Sequence, residues 1–309
     1  MAPDVSVIIP VWNGAAYVGE AIRSALAQQD VSVEVIVVDD ASTDDSASIA
    51  EAIGDPRLRV VRHGENAGPG AARNSGFREA TGRWLAVLDA DDTMQPDRLR
   101  HLVDLGEKDA VQIVADNLML VPAGRPMFKP DDFPRTGYFN LEHLVRSERL
   151  FTRRWTFGYL KPLFSRKLVQ SRGLTYQTDI RIGEDFIFLA DCLATSAHMR
   201  LDPTPRYNYL VREGSTSSRT ERSHIERMLR AQSDFEARHQ LQPEWRQALA
   251  ERRAGLEAAD AYLAMVDHVK ARRFGAALSI AAANPRGALL FRLPVAVRLQ
   301  RLLAPFGGR

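Results

Sequence analysis

The chain has 309 residues, 45% apolar and 26% charged, which reads as an ordinary globular protein of one large domain or two smaller ones. Its net charge of +2 is too small to argue for a nucleic-acid partner, and its single cysteine, Cys192, cannot close an intrachain disulfide. The N-terminal MAPDVSVIIPVW has no charged leader, and no window approaches the roughly 18 consecutive apolar residues of a spanning helix, so a cytoplasmic chain is expected.

In chain order, VSVIIP (Val5–Pro10) and VEVIVVD (Val33–Asp39) are near-continuous apolar runs, the kind of strand buried on both faces of a parallel sheet. Between them AAYVGEAIRSALAQQ carries a helical stripe of Tyr17, Ala21, Ile22, Ala25 and Leu26. STDDSASIAEAI begins as a helix with Ser42 as candidate cap. LRVVRH is a third strand, GPGAARNSGFREA a helix entered through glycines, and WLAVLD a fourth strand. QPDRLRHLVDLGEK then reads as a helix, AVQIVADN as a strand, and FIFLADCLA as a helical pattern that buries an inert Cys192. This alternation predicts a doubly wound α/β sheet, whose ligands sit outside the carboxyl ends of the strands.

Two acid clusters fall at that edge. Asp39 and Asp40 follow the second strand, and VLDADDT puts Asp89, Asp91 and Asp92 directly after the fourth. Helix capping needs one carboxylate and is the reading for Asp44 and Asp97, but it does not account for three acids in four residues. Clustered oxygens suit a hard divalent cation, Mg²⁺ or Mn²⁺, bridging a diphosphate, and the scattered histidines offer no compact zinc set. NAGPGAARNSG lacks the Gly-Lys-Ser/Thr ending of a P-loop. Gly68 and Gly70 still permit close backbone approach, and Arg73 lies near a helix start that could face an anion; a tight turn with a surface arginine is the alternative.

In this order VSVIIPVWN, EVIVVDDASTDDS, NAGPGAARNSG, GRWLAVLDADD and RIGEDFIFLAD resemble glycosyltransferase family 2. FGYLKPLFSRKLVQSRGLTY and YLVREGSTSS are most similar to glucosyltransferases of succinoglycan-type exopolysaccharide synthesis, and the likeness covers about residues 4–220. It implies a GT-A fold: an α/β domain over 1–217 with a nucleotide-sugar-binding half (1–120) and an acceptor half (121–217), followed by a helical extension over 218–309. By the same resemblance Pro10 and Trp12 lie beside the nucleotide, with Trp12 packing on base or ribose. Asp40, with Asp39, meets the uracil or ribose. Asn66, Gly68 and Arg73 border the nucleotide sugar. Asp89 and Asp91, with Asp92 adjacent, hold the metal. Asp185 matches the general base, Glu184 stands beside it, and Arg212 replaces a frequent histidine near the diphosphate. From spacing alone Glu184 and Asp185 read equally well as acids at a helix start.

The expected activity is inverting, metal-dependent transfer from a nucleotide sugar, UDP-glucose favoured, to a glycan or lipid-linked saccharide. A nucleotidyltransferase using the same acids and a non-catalytic nucleotide-sugar or glycan-binding module are the alternatives. Trp155, Tyr159 and Lys161 are candidates to line the sugar or acceptor pocket, while Phe157, Leu160, Tyr207 and Tyr209 read as structural. After Asp267 no carboxylate occurs, whereas Lys270, Arg272, Arg273, Arg286, Arg292, Arg298, Arg301 and Arg309 do. In LPVAVRLQRLLAPF, Val295, Leu299, Leu302, Leu303 and Phe306 share one helical face. That pattern suits peripheral binding to an anionic inner membrane face, and docking onto the chain's own body or a homodimer partner fits it as well.

Overall fold

The computed structural model describes residues 2–148, 155–195, 198–212 and 221–292. The chain forms two compact units: Met1–Leu144 with Phe157–Ser218, and Val145–Thr156 with Arg219–Arg309.

The first unit holds one large mixed sheet. Strands β1 (Val5–Val11), β2 (Val33–Asp39), β3 (Leu58–Arg62) and β4 (Trp84–Val87) run parallel, with Val11 opposite Asp39 and Ile8 opposite Val87. Helices α1 (Val18–Leu26), α2 (Ser46–Ala52) and α3 (Pro69–Glu79) connect them. Val7, Ile8, Val35, Ile36 and Val37 are fully buried, as strands covered on both faces require. The chain continues through β5 (Thr93–Met94), α4 (Arg98–Lys108), β6 (Ile113–Val121), β7 (Arg125–Pro126), β8 (Tyr138–Phe139) and α5 (Leu141–Ser147). It then forms β9 (Leu163–Ser165), α6 (Arg166–Ser171), α7 (Glu184–Thr195) and β10 (Met199–Leu210). The strand order is β3-β2-β1-β4-β9-β6-β10-β5, and most paired residues lie in parallel ladders.

β9 is the unforeseen strand. It inserts antiparallel between β4 and β6, pairing Leu163 with Ala86 on one side and Val114 on the other. Because it runs against β4, the residues just before it arrive at the carboxyl end of β4. Two of the three expected caps also differ. Ser42 accepts from the Asn13 N–H at 2.9 Å, Asp44 from the Ala15 N–H at 2.9 Å, and helix α2 starts only at Ser46. Asp97 occupies the N-cap position of α4, but its carboxylate pairs with Arg206 at 3.1 Å. Ser42 and Asp97 link separate segments instead of closing a helix, whereas Asp44 also accepts from the Ser46 N–H at 3.0 Å and so caps the start of α2.

The second unit contains α8 (Arg222–Arg238), α9 (Pro243–Lys270), α10 (Phe274–Ala283) and α11 (Pro285–Leu289). Ile225, Met228, Phe235, Leu249 and Leu256 are buried between α8 and α9. Proline at the first position of α9 costs no hydrogen bond there. Among the described residues no helix is long and apolar enough to cross a membrane. The amphipathic stretch over 294–306 lies outside the described residues.

Candidate active site

Both acid clusters lie at the carboxyl edge of the parallel strands. Behind β1 and β2 the chain is stitched to itself: Thr43 N–H donates to Asn13 Oδ1 at 2.8 Å, and Gly14 N–H to Ser46 Oγ at 2.9 Å. Pro10 is half-buried at the end of β1, and Trp12 stands 58% exposed beside it, open to a stacking partner. Asp39, buried, accepts from the Ser42 N–H at 3.3 Å.

Asp40 is committed more fully. Its Oδ1 accepts from the Ala67 N–H at 3.0 Å and meets His63 Nδ1 at 2.7 Å, and Oδ2 accepts from the Gly68 N–H at 2.7 Å. Asn66 Nδ2 donates to the Asp40 carbonyl at 3.2 Å, and His63 Nε2 meets Ser75 Oγ at 2.8 Å. Both Asp40 and Asn66 tie the loop before α3 to the end of β2. Gly68 adopts φ of 90° where the chain turns into α3, a conformation that glycine allows without strain.

Helix α3 sits hard on the sheet, because a Cβ at Gly76 would run into the Ile8 side chain. Its next turn binds a distant loop. Asn74 Nδ2 donates to the Tyr176 carbonyl and Asn74 Oδ1 accepts from the Tyr176 N–H, both at 2.8 Å. A Cβ at Gly70 would stand 2.6 Å from the Gln177 carbonyl oxygen. Tyr176 in turn stacks on Phe188 of α7 at 4.0 Å. These contacts bring the first turn of α7 to α3, and so bring Glu184 and Asp185 to Arg73.

Arg73 is buried and binds three carboxylates: Glu184 at 2.7 Å, Asp89 at 3.0 Å and Asp185 at 3.2 Å. Its charge is turned on the protein's own acids, and its burial removes the alternative of a surface arginine. Glu184, also buried, meets the same guanidinium. Lys161, 6% exposed, binds Asp89 at 2.8 Å and Asp185 at 2.7 Å. It stands just before β9, at the carboxyl end of β4. Arg98, fully buried, fixes it there. Arg98 forms a two-pronged pair with Asp116, donates to the Lys161 carbonyl at 2.6 Å, and lies over the Tyr207 ring at 4.9 Å.

The three acids behind β4 have three separate environments. Burial would raise Asp89, but Lys161 and Arg73 overcome it and hold this carboxyl well below the usual range. Asp92 accepts from the Tyr207 hydroxyl at 2.7 Å and the Leu210 N–H at 2.8 Å; burial, then the Asp89 charge, pushes it up to about 8. Asp91 is raised by burial and by Asp89, against the pull of Arg212, which it meets at 2.7 Å. Arg212 also lies over the Tyr17 ring at 5.0 Å.

Among the described residues no group of three His, Cys, Asp or Glu side chains is arranged to hold a metal ion by itself, Asp89, Asp91 and Asp92 included. Asp91, partly exposed and raised in pKa, is the acid that would gain from a cation. Four carboxylates (Asp89, Asp91, Glu184, Asp185) are paired with three cationic side chains (Arg73, Lys161, Arg212), so the donor set carries surplus negative charge. That fits a divalent ion held by one or two carboxylates and a substrate's phosphates.

Lys161, Arg98, Asp116 and Tyr207 are the residues whose part sequence reasoning missed. Lys161 was placed near a pocket but not between two acids, and only the antiparallel insertion of β9 puts it there.

A parallel α/β half continuing through an antiparallel strand into a second half, with acids and buried cations at the carboxyl edge, is the architecture of a glycosyltransferase. The chain belongs to glycosyl transferase family 2, whose sequence model matches residues 6–166. It is 39% identical over 307 residues to the succinoglycan biosynthesis protein ExoO of Rhizobium meliloti (strain 1021), covering 98% of this chain and 88% of that protein. It is 38% identical over 222 residues to the succinoglycan biosynthesis protein ExoU of the same organism, covering 69% and 64%. Among solved structures it shares its fold with S. aureus TarS 1–349 in complex with UDP-GlcNAc, at a TM-score of 0.64 and 21% identity over 94% of this chain and 79% of that one. It shares it also with the mannosyltransferase PcManGT from Pyrobaculum calidifontis in complex with GDP-Man and Mn²⁺, at 0.61 and 24% over 97% and 81%. Family membership makes the protein an enzyme and removes both alternatives weighed on sequence.

Proposed function

We propose that the protein transfers a sugar, with inversion, from a nucleoside diphosphate sugar to a growing polysaccharide or lipid-linked saccharide at the cytoplasmic face of the membrane. A part in exopolysaccharide synthesis is supported by the likeness to the succinoglycan biosynthesis proteins ExoO and ExoU; UDP-glucose is the donor we favour from the sequence resemblance, with residues 1–120 assigned to donor and 121–217 to acceptor.

The observation that carries this reading is that Asp185 is bound to the same two cations, Lys161 and Arg73, as Asp89, 96 residues earlier. The base and the donor-side acid are thereby fixed relative to one another. As the acceptor oxygen bonds to the anomeric carbon, the bond from that carbon to the diphosphate breaks. The hydroxyl proton passes to Asp185, a service worth about 10²–10⁴-fold in rate. Trp12 offers a face to the base or ribose, with Asp39 and Pro10 beside it. Arg212, a permanently charged fork on Asp91, meets the departing diphosphate. Asp91, aided by Asp89, would hold a Mg²⁺ or Mn²⁺ ion, which supplies positive charge to that leaving group; a relative of the same fold is described with Mn²⁺.

The test is nucleoside diphosphate release by purified protein with each metal and a panel of nucleotide sugars. Asp185→Asn is expected to lower transfer by at least about 10²-fold while UDP binding, measured calorimetrically, is retained. Asp91→Ala is expected to abolish the response to added metal. Near-normal turnover of the Asp185 variant would refute the base assignment.

A further inference from the structure

The end of the described chain reverses the usual arrangement of a surface helix. Helix α10, FGAALSIAAA, has no charged side chain, and the residue it buries is Ala277. Its large side chains point outward: Phe274 is 59% exposed and Leu278, one turn on, 70%. Leu289, the last residue of α11, is 61% exposed, and Val269 and Phe291 are also exposed. Of the eight large apolar side chains exposed among the described residues, five fall within 269–291. Small residues make the inward contacts. A Cβ at Gly287 would stand 2.8 Å from the Ala258 carbonyl oxygen and 2.9 Å from the Ala261 Cβ, so α11 docks on α9 through a glycine. A helix that needs water solubility alone would bury Phe and Leu and expose Ala.

Along the chain, the charge that follows Asp267 has one sign. Past Asp267 the sequence has no carboxylate, and Lys270, Arg272, Arg273, Arg286 and Arg292 flank the apolar residues. A second copy of α10 and α11 would set these cations against one another, because neither helix carries an acid of its own. An anionic bilayer supplies both requirements, an apolar layer for Phe274, Leu278 and Leu289 and negative headgroups for the cations.

We propose that α10, α11 and their flanking cations form a seat for anionic phospholipid. This goes beyond the peripheral location given above by assigning it to residues outside the catalytic cluster. Vesicle binding needs no turnover, so failure of the transfer reading and failure of this one are told apart.

The experiment is co-sedimentation of the full chain with vesicles of phosphatidylcholine, alone or mixed with phosphatidylglycerol. Binding is expected to the mixed vesicles, weakening as salt is raised. The double variant Phe274→Ser/Leu278→Ser is expected to lower partitioning by at least about tenfold. Arg272→Gln/Arg273→Gln is expected to lower it by about thirtyfold at low salt. Both pairs are solvent-exposed, so an unchanged unfolding midpoint serves as the folding control. Equal vesicle binding by wild type and variants would overturn the proposal. So would a dimer in solution that the Phe274/Leu278 variant dissociates while vesicles bind neither form.

Discussion

The acid pair behind β2 and the acid triplet behind β4 have the same look in sequence and share one edge of the sheet, yet they are satisfied by different partners. Asp40 receives two backbone N–H groups and His63 from within 28 residues, all on one loop and the strand before it. Asp89 is met by Lys161 and Arg73, carried in by β9 and α3, and Asp91 by Arg212. Local N–H donors hold a carboxylate in a single state and make it part of the scaffold. Cations from separate elements leave it exchangeable: a substrate, a proton or a metal can compete for the same charge. Under the proposed function, the contrast sets a fastening apart from a working site more sharply than residue type does.

The largest effect should come from the cation that binds across the second cluster. Lys161→Met leaves Asp89 and Asp185 with Arg73 alone, and removing one partner of a buried pair costs about 3–5 kcal/mol. Turnover is expected to fall by about 10³-fold and the denaturant midpoint to drop, with partial rescue by Lys161→Arg. If Lys161→Met keeps wild-type turnover, the cluster is a fastening like the first.

Asp92 gives the next effect and ties it to pH. Its carboxyl, pushed up to about 8 by burial and by Asp89, binds a proton more tightly folded than unfolded. That contribution is full below about pH 4, the ordinary aspartate range, and is lost as pH rises toward the folded value. Metal-free protein should therefore lose stability between about pH 5 and 8, by a few kcal/mol at most, and Asp92→Asn should flatten that slope. Parallel slopes for the two proteins in urea titrations across this window would show that Asp92 is ionised throughout.

The first cluster should respond in stability and not in rate. Asp40→Ala leaves the Ala67 and Gly68 N–H groups without their acceptor, a loss of about 2 kcal/mol, while turnover of the folded enzyme should fall less than about tenfold. Lost turnover at unchanged stability would return Asp40 to the nucleotide.

These distinctions mark how far the sequence could be read. β1 to β4 and their helices were legible because parallel strands buried on both faces leave unbroken apolar runs, and the edge they share located both acid clusters. Family setting singles out Asp185, and the structure shows its place beside the same two cations as Asp89. The partners were not legible, because pairing depends on where a short strand inserts. LFS is three residues long and carries no periodicity, yet its antiparallel run between β4 and β6 is what delivers Lys161. Two of the caps failed for a related reason: Ser42 and Asp97 had the right local chemistry, but Asn13 and Arg206 took those side chains, while Asp44 kept its bond to the start of α2 and took the Ala15 N–H as well. Local propensity is overridden where loops from different strands meet.

The smallest effect tests the one neutral member of the second cluster. The Tyr207 hydroxyl accepts from the Asp89 N–H at 3.2 Å and donates to Asp92 at 2.7 Å, linking the acid held ionised to the acid pushed toward its neutral form. Tyr207→Phe removes both bonds but keeps the ring under Arg98, so the cost should be about 1 kcal/mol and turnover should fall only a few-fold. Because this hydroxyl favours the ionised form of Asp92, its loss should move the stability slope described above to higher pH. A rate loss as large as that of Lys161→Met would mean that the hydroxyl, and not the ammonium, sets the geometry of the acids, and the distinction between cation-held and donor-held clusters would fail at its most exposed point.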